Sequence, residues 1–223
     1  MDQTIRTIRQ ETRKTGEGIL PDIVLVVDTN ILADLGWKRD GAVKNLVSLS
    51  LENPKLLIIT PRICSIEFLA VTFEEVSSLT EVARQLKAKL PDIKRYGDAK
   101  LTERIHEVID DVTKLAGRLR ESPRAVLKNM SELILVFEKN LTVQFEEAYY
   151  TSKNPKYGLK FEDALVFSFV KLFGTALDEC KIIFLTRDRD FDTEHVLQEL
   201  KKVGVDVYFS SGECMQRIKE TLQ

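Results

Sequence analysis

Short, largely apolar and β-branched runs recur along the chain: IVLVV at 23–27, KLLIIT at 55–60, KIIFLT at 181–186 and VDVYF at 205–209. A strand with one wet face alternates polar and apolar positions. Runs as continuous as the first three therefore predict strands buried on both faces. Residues 30–35, 42–51, 160–173, 193–203 and 210–222 carry helical spacing instead. A long helical pattern begins near Pro61, which suits a first turn because its missing N–H would go unbonded there in any case. Between about 74 and 152 no run reads as a strand, and helices are expected over 74–90, 98–120 and 125–150, punctuated by Pro91, Gly97 and Pro123. TSKNPKYG (151–158) reads as a loop. Residues 1–20 read as a polar arm or short helix, with Ile5 and Ile8 on one apolar face and Gly16 and Gly18 ahead of Pro21. No repeat or low-complexity segment interrupts this order.

Strands alternating with helices predict a parallel sheet covered on both faces, in which a ligand crevice lies beyond the carboxyl ends of the strands. Acidic residues fall where that crevice would be. Asp28 follows IVLVV directly, in VVDTNIL, and Asp188 follows KIIFLT, in FLTRDRDF. On neighbouring parallel strands these carboxylates would share one rim, where like charges repel unless a cation neutralises them. A hard divalent ion with oxygen ligands answers that need. Glu67, in TPRICSIEFLA, stands among apolar neighbours in a stretch expected to be largely buried. Asp163 opens the apolar helix FEDALVFSFVKLF, where an acid is costly to bury without a partner.

Each acid also has an ordinary reading. Asp28 suits a helix N-cap, and Asp163 suits the positive end of its helix. Asp188, Asp190 and Asp192 suit a polar turn, and Glu67 would pair with Arg62. Their joint occurrence at strand ends and in apolar helix starts favours a shared role.

VVDTNIL, a Glu early in the next long helix, FEDALVF and FLTRDRDF, in this order, resemble the motifs of PIN-domain nucleases. The resemblance covers residues 22–70 and 160–210. It implies a three-layer α/β/α architecture with a central parallel sheet of four to five strands. Here that would be a single domain over 21–223 with a helical insertion at about 74–152, behind an N-terminal arm over 1–20. It further implies hydrolysis of phosphodiester bonds, most often in RNA, by metal-activated water with Mg²⁺ or Mn²⁺. Carried onto this chain, Asp28, Glu67, Asp163 and Asp188 match the metal-binding and catalytic acids, and Asp190 resembles a frequent additional one. Asn30 and Thr186 match positions that steady the acidic centre through hydrogen bonds. No Ser, Cys or His nucleophile is needed, in keeping with His106 and His195 lying outside all of these motifs.

Composition changes this picture in a few places. A chain of 223 residues with 43% hydrophobic and 30% charged residues is long and apolar enough for a sizeable core. A formal net charge of −2 excludes coating of nucleic acid by bulk positive charge. Substrate backbone must then be held locally. The stretch 84–128 has 12 Lys/Arg against 7 Asp/Glu. Residues 149–160 set Lys153, Lys156 and Lys160 among Tyr149, Tyr150 and Tyr157, which suits single-stranded RNA. Solvated helix faces and a polar loop explain the same residues. Cys64, Cys180 and Cys214 are odd in number and widely spaced, as reduced buried thiols are. The N-terminus lacks an apolar signal core and no uncharged run nears the ~20 residues of a spanning helix, so a soluble, cytoplasmic chain without membrane contact is expected.

Other functions fit part of this pattern. A haloacid-dehalogenase phosphatase also starts with a strand and an Asp, but it wants a second Asp where this chain has Asn30. A non-catalytic PIN-like module binding nucleic acid or protein, and a DNA-cutting nuclease of a defence system, both stay open. The toxin of a toxin–antitoxin pair fits as well. The insertion and the arm offer places for a protein inhibitor, a complex partner or a homodimer contact.

Overall fold

The computed structural model describes residues 8–10, 12, 20–37, 39–97, 99–133, 135–137 and 142–222, with side chains at 121–137 and 142–143 excepted. Five strands, β1 (Ile23–Val27), β2 (Leu56–Pro61), β3 (Leu135–Phe137), β4 (Lys181–Leu185) and β5 (Val205–Tyr208), form one sheet in the order β3-β2-β1-β4-β5. Every pairing is parallel. β1 lies at the centre, and all of its side chains are buried. Because successive side chains point to opposite faces, both faces of β1 are covered.

The apolar runs thus become strands within a residue or so of their expected limits. β3 is the exception, lying within the stretch expected to be a helix over 125–150. It is only a three-residue strand, paired Ile59↔Leu135 to Pro61↔Phe137. A segment so short carries no periodicity of its own, and its pairing with β2 decides its conformation.

The helices are α1 (Thr29–Gly36), α2 (Gly41–Glu52), α3 (Arg62–Tyr96), α4 (Ala99–Leu133), α5 (Thr142–Lys153), α6 (Phe161–Ala176), α7 (Glu194–Lys202) and α8 (Ser211–Leu222). α3 runs on through Pro91 and α4 through position 123, where breaks were expected. A proline forfeits one backbone bond and crowds the preceding turn, yet Pro91 stands inside α3. Of the three expected breaks, the one at Gly97 does separate the helices, and its N–H still closes onto Ile93 O at 2.7 Å.

The chain forms two compact units, residues 1–66 with 128–223, and residues 67–127. In the first, α2 packs on β2 and α8, α6 packs on α5, α7, β4 and β5, and α8 packs on β5. The core runs from β1 and β4 into α6, where Phe167, Phe169 and Phe173 are buried. Of the expected arm, Ile8 and Thr12 are fully buried. Arg9 donates from Nε to Ala176 O at 2.6 Å and pairs with Asp178. Ile5, Gly16 and Gly18 lie outside the described residues. The second unit is helical, with Phe68, Val76, Ala83, Ile109 and Ala116 buried. Among the described residues no helix is long and apolar enough to cross a membrane.

α6 approaches the entry to β5 so closely that only glycine fits at position 174. A Cβ there would sit 2.6 Å from Val203 O and 2.7 Å from Val205 Cγ2. Gly174→Ala is expected to destabilise the fold by roughly 1–3 kcal/mol through overpacking. Gly212→Ala, whose Cβ would meet only Ser210 Oγ at 3.8 Å, should melt at or above the wild-type temperature. Thermal denaturation of both variants checks the contrast.

Candidate metal centre

The centre is built from the first unit, starting at the carboxyl ends of β1 and β4. These strands pair up to Val27↔Leu185, and Asp28 N donates onward to Leu185 O at 3.2 Å. The next residues, Asp28 and Thr186, therefore stand side by side. Asp28 is only 6% exposed, and a carboxylate so placed needs donors. It caps α1, accepting from Thr29 N at 2.7 Å, and also accepts from Thr186 Oγ1 at 2.6 Å and Asn30 Nδ2 at 3.1 Å. Cys64 Sγ donates to its other face at 3.6 Å. The N-cap reading of Asp28 is realised, and the hydrogen bonds from Asn30 and Thr186 come in addition to it.

Thr186, fully buried, links this cap to the next turn by accepting from Asp188 N at 3.0 Å. Asn30 Oδ1 accepts from Arg187 N at 3.0 Å. Asp188 then caps a short 3₁₀ turn (Arg189–Phe191), with Oδ1 accepting from Asp190 N at 2.9 Å. The turn is anchored by Phe191, 1% exposed, which meets Phe184 of β4 edge-on at 5.2 Å.

Asp163 arrives from another element. It lies in the first turn of α6, whose N-cap residue Lys160 makes no side-chain cap bond. The helix's positive end therefore favours the acids Glu162 and Asp163. Asp163, Asp188 and Asp190 each offer a carboxylate oxygen within 4.8 Å of the others. Asp163 and Asp188 are half-buried and Asp190 is exposed. Capping accounts for Asp188 alone and a turn for Asp190 alone, but neither accounts for Asp163 meeting both.

The donor set suits a hard cation. Three carboxylates without sulfur or imidazole are donors that hard cations such as Mg²⁺, Mn²⁺ and Ca²⁺ accept. To hold one ion, whose bonds to oxygen are about 2.0–2.1 Å, the three carboxylates would have to draw closer by side-chain rotation. Asp28 is not part of the group. Glu67 opens the second unit and is exposed, which corrects the expectation of a largely buried setting. The buried stripe of α3 is Cys64, Ser65, Phe68, Thr72 and Val76, and Glu67 falls outside it.

Arg187, Asp34, Asp40 and Ser211 were not singled out from sequence. Arg187 pairs with Asp34 Oδ2 at 2.8 Å and with Asp40 Oδ2, which Ser211 Oγ also approaches as a donor. Burial pushes the Asp34 carboxyl above its ordinary range, with Arg187 opposing and Asp40 adding to the rise. Burial also acts against Asp40, but Ser211, the amides of Ala42 and Val43, and Arg187 together hold it below its ordinary range. Only one signal for this network was local: an Asp preceding GAVKNLV is a readable N-cap, and Asp40 Oδ1 does accept from Ala42 N at 2.7 Å.

The expected nucleic-acid track divides. Lys153, Lys156 and Lys160 are exposed. Tyr149 and Tyr150, 55% and 73% exposed, meet edge-on at 5.9 Å, and Lys153 Nζ lies 5.8 Å over the Tyr149 ring. α5 extends to Lys153, so the aromatic pair sits on a helix rather than in the loop. Tyr157 faces inward, against Phe167 at 5.4 Å and His195 at 4.5 Å, and offers no free ring for stacking. In the stretch 84–128 the cations from Arg84 to Arg120 are exposed, as on solvated helix faces, and Arg84 is already held by Glu81 at 2.7 Å. The side chains of Arg124 and Lys128 lie outside the described residues. Cys64, Cys180 and Cys214 are buried thiols that form no disulfide, and burial pushes the Cys214 thiol up to about 12.

Compared with protein-family models, curated proteins and solved structures, the chain matches none.

Proposed function

We propose that this protein is a metal-dependent nuclease of the PIN-domain type, an endoribonuclease acting on single-stranded RNA. The observation that carries the reading is the convergence of Asp163, Asp188 and Asp190 beside the carboxyl ends of the central strands. Three carboxylates so close are an electrostatic cost that a divalent cation turns into affinity.

In this reading Asp163, Asp188 and Asp190 hold Mg²⁺ or Mn²⁺ at the crevice of a three-layer α/β/α domain. Asp28, on the adjacent strand end, is the fourth acid of the centre, kept in place by Asn30 and Thr186. Glu67 is assigned by the resemblance alone. When bound, the ion supplies Lewis-acid polarisation of a phosphodiester and activation of water. The residues themselves orient the group, through Thr186 and the Asp188 cap. Lys153, Lys156 and Lys160 bind backbone phosphates, with Tyr149 and Tyr150 as stacking surfaces.

Incubation of single-stranded RNA and DNA with the protein in Mg²⁺, Mn²⁺ or EDTA tests this directly. RNA cleavage should need the metal and fall on the order of 100-fold in Asp28→Asn. Cleavage in EDTA, or full activity in the variant, would defeat the mechanism. Cleavage confined to DNA would move the substrate. RNA bound but never cut would leave a binding module.

A further inference from the structure

We propose that Arg187 is a positioning residue, clamping the loop that carries Asp188 and Asp190 onto α1 and the start of α2. The proposal rests on the reading of the acidic group as the reactive centre. β4 ends at Leu185, and the chain must then turn so that Asp188 and Asp190 reach Asp163. The main chain of this turn is held by Arg187 N on Asn30 Oδ1 and Asp188 N on Thr186 Oγ1. Both bonds lie on the β4 side of the acids. The Arg187 guanidinium, on the same side, adds a side-chain anchor, with one nitrogen ion-paired to Asp34 of α1 and the other hydrogen-bonded to Asp40, the N-cap of α2. Asp40 is itself fixed by Ala42 N, and Ser211 at the start of α8 closes on the same oxygen as Arg187. A single side chain thus ties the acid-bearing loop to α1 and to the start of α2, and Asp40 passes the link on to α8.

The fork geometry matters. Two carboxylates on different elements are reached by one planar guanidinium, and a lysine would reach only one of them at a time. Asp34 is 5% exposed, so Arg187, itself 43% exposed, ends on a buried partner, unlike the surface pair of Arg189 with Asp192 in the same loop. Sign separates positioning from simple electrostatics. Arg187 is a cation close to an acidic group, and deleting its charge should strengthen metal binding if charge were its whole effect. As a positioning residue, its loss should weaken metal binding.

The test compares the full-length protein with Arg187→Ala, Arg187→Lys and Arg189→Ala. Amide hydrogen exchange over 186–192 reads the loop, and Mn²⁺ titration followed by electron paramagnetic resonance reads the acidic group. In Arg187→Ala, exchange at the Asp188 and Asp190 amides should rise about tenfold or more as the loop opens locally. Mn²⁺ affinity should fall roughly 10–100-fold, the usual effect of losing an outer support. Arg187→Lys should fold, lie between, and restore part of both signals, while Arg189→Ala should stay near wild type. Unchanged exchange in Arg187→Ala, or a gain in Mn²⁺ affinity, overturns the proposal. Faster exchange together with no Mn²⁺ binding by the wild type supports the clamp and removes the metal reading instead.

Discussion

Asp188→Asn is expected to lose metal-dependent RNA cleavage by on the order of 100-fold or more while becoming more stable in EDTA. The two effects share one cause. Asp163, Asp188 and Asp190 bring carboxylate oxygens within 4.8 Å, and without a cation they repel. Asn keeps the Oδ1 acceptor that Asp190 N uses at 2.9 Å, so the 3₁₀ turn is retained and only the charge is removed. Relief of repulsion worth about 1 kcal/mol would raise the melting temperature of a chain this size by about 2–4 °C. Added Mn²⁺ should then stabilise the wild type through binding to the folded state and leave the variant unmoved. Thermal melts in EDTA and in Mn²⁺, run beside the cleavage assay, measure all of this. Equal stabilisation of both proteins by Mn²⁺ would remove Asp188 from the metal site.

Phe191→Ala is expected to cost roughly 3–5 kcal/mol of unfolding free energy, the usual loss for truncating a fully buried aromatic. Phe191 is 1% exposed and packs edge-on against Phe184 at the end of β4. It is also the last residue of the turn that Asp188 caps. Its removal leaves a cavity beneath the acids and frees their loop. Phe191→Leu, which fills most of the space, should lose clearly less. Urea denaturation of the three proteins gives the values, and a loss below about 1 kcal/mol for the alanine variant would show that the turn is held by its polar contacts alone.

What was legible in sequence follows from locality. Strands buried on both faces announce themselves, as IVLVV and KIIFLT do, because every position must be apolar. A carboxylate immediately after such a run is placed by the run, so Asp28 and Asp188 could be assigned to one rim once β1 and β4 proved neighbours. β3 could not be seen, since a three-residue strand is defined by its partner β2 and not by its own pattern. Pro91 reads as a stop, yet α3 continues through it to Tyr96. Glu67 was judged by its apolar neighbours in the chain, but burial on a helix follows the stripe, and Glu67 is off it. Asp190 carries little signal of its own in the sequence, because an exposed loop residue resembles any turn former. Its meeting with Asp163, on a separate helix, is a fact of three dimensions. The same holds for Arg187 and Asp40, joined across a sequence separation of 147.

The sheet order β3-β2-β1-β4-β5 puts the first strand at the centre and pairs it with a strand made far later. Asp28 and the hydroxyl of Thr186 that secures it are 158 residues apart. During synthesis at about 5–20 residues per second, Asp28 waits on the order of ten seconds for that partner. A nascent or truncated chain ending before β4 carries Asp28 and Asp163 but neither Asp188 nor Asp190. The acidic group therefore cannot assemble on a chain that ends before β4, and β4 must join the central sheet before Asp163 finds its partners.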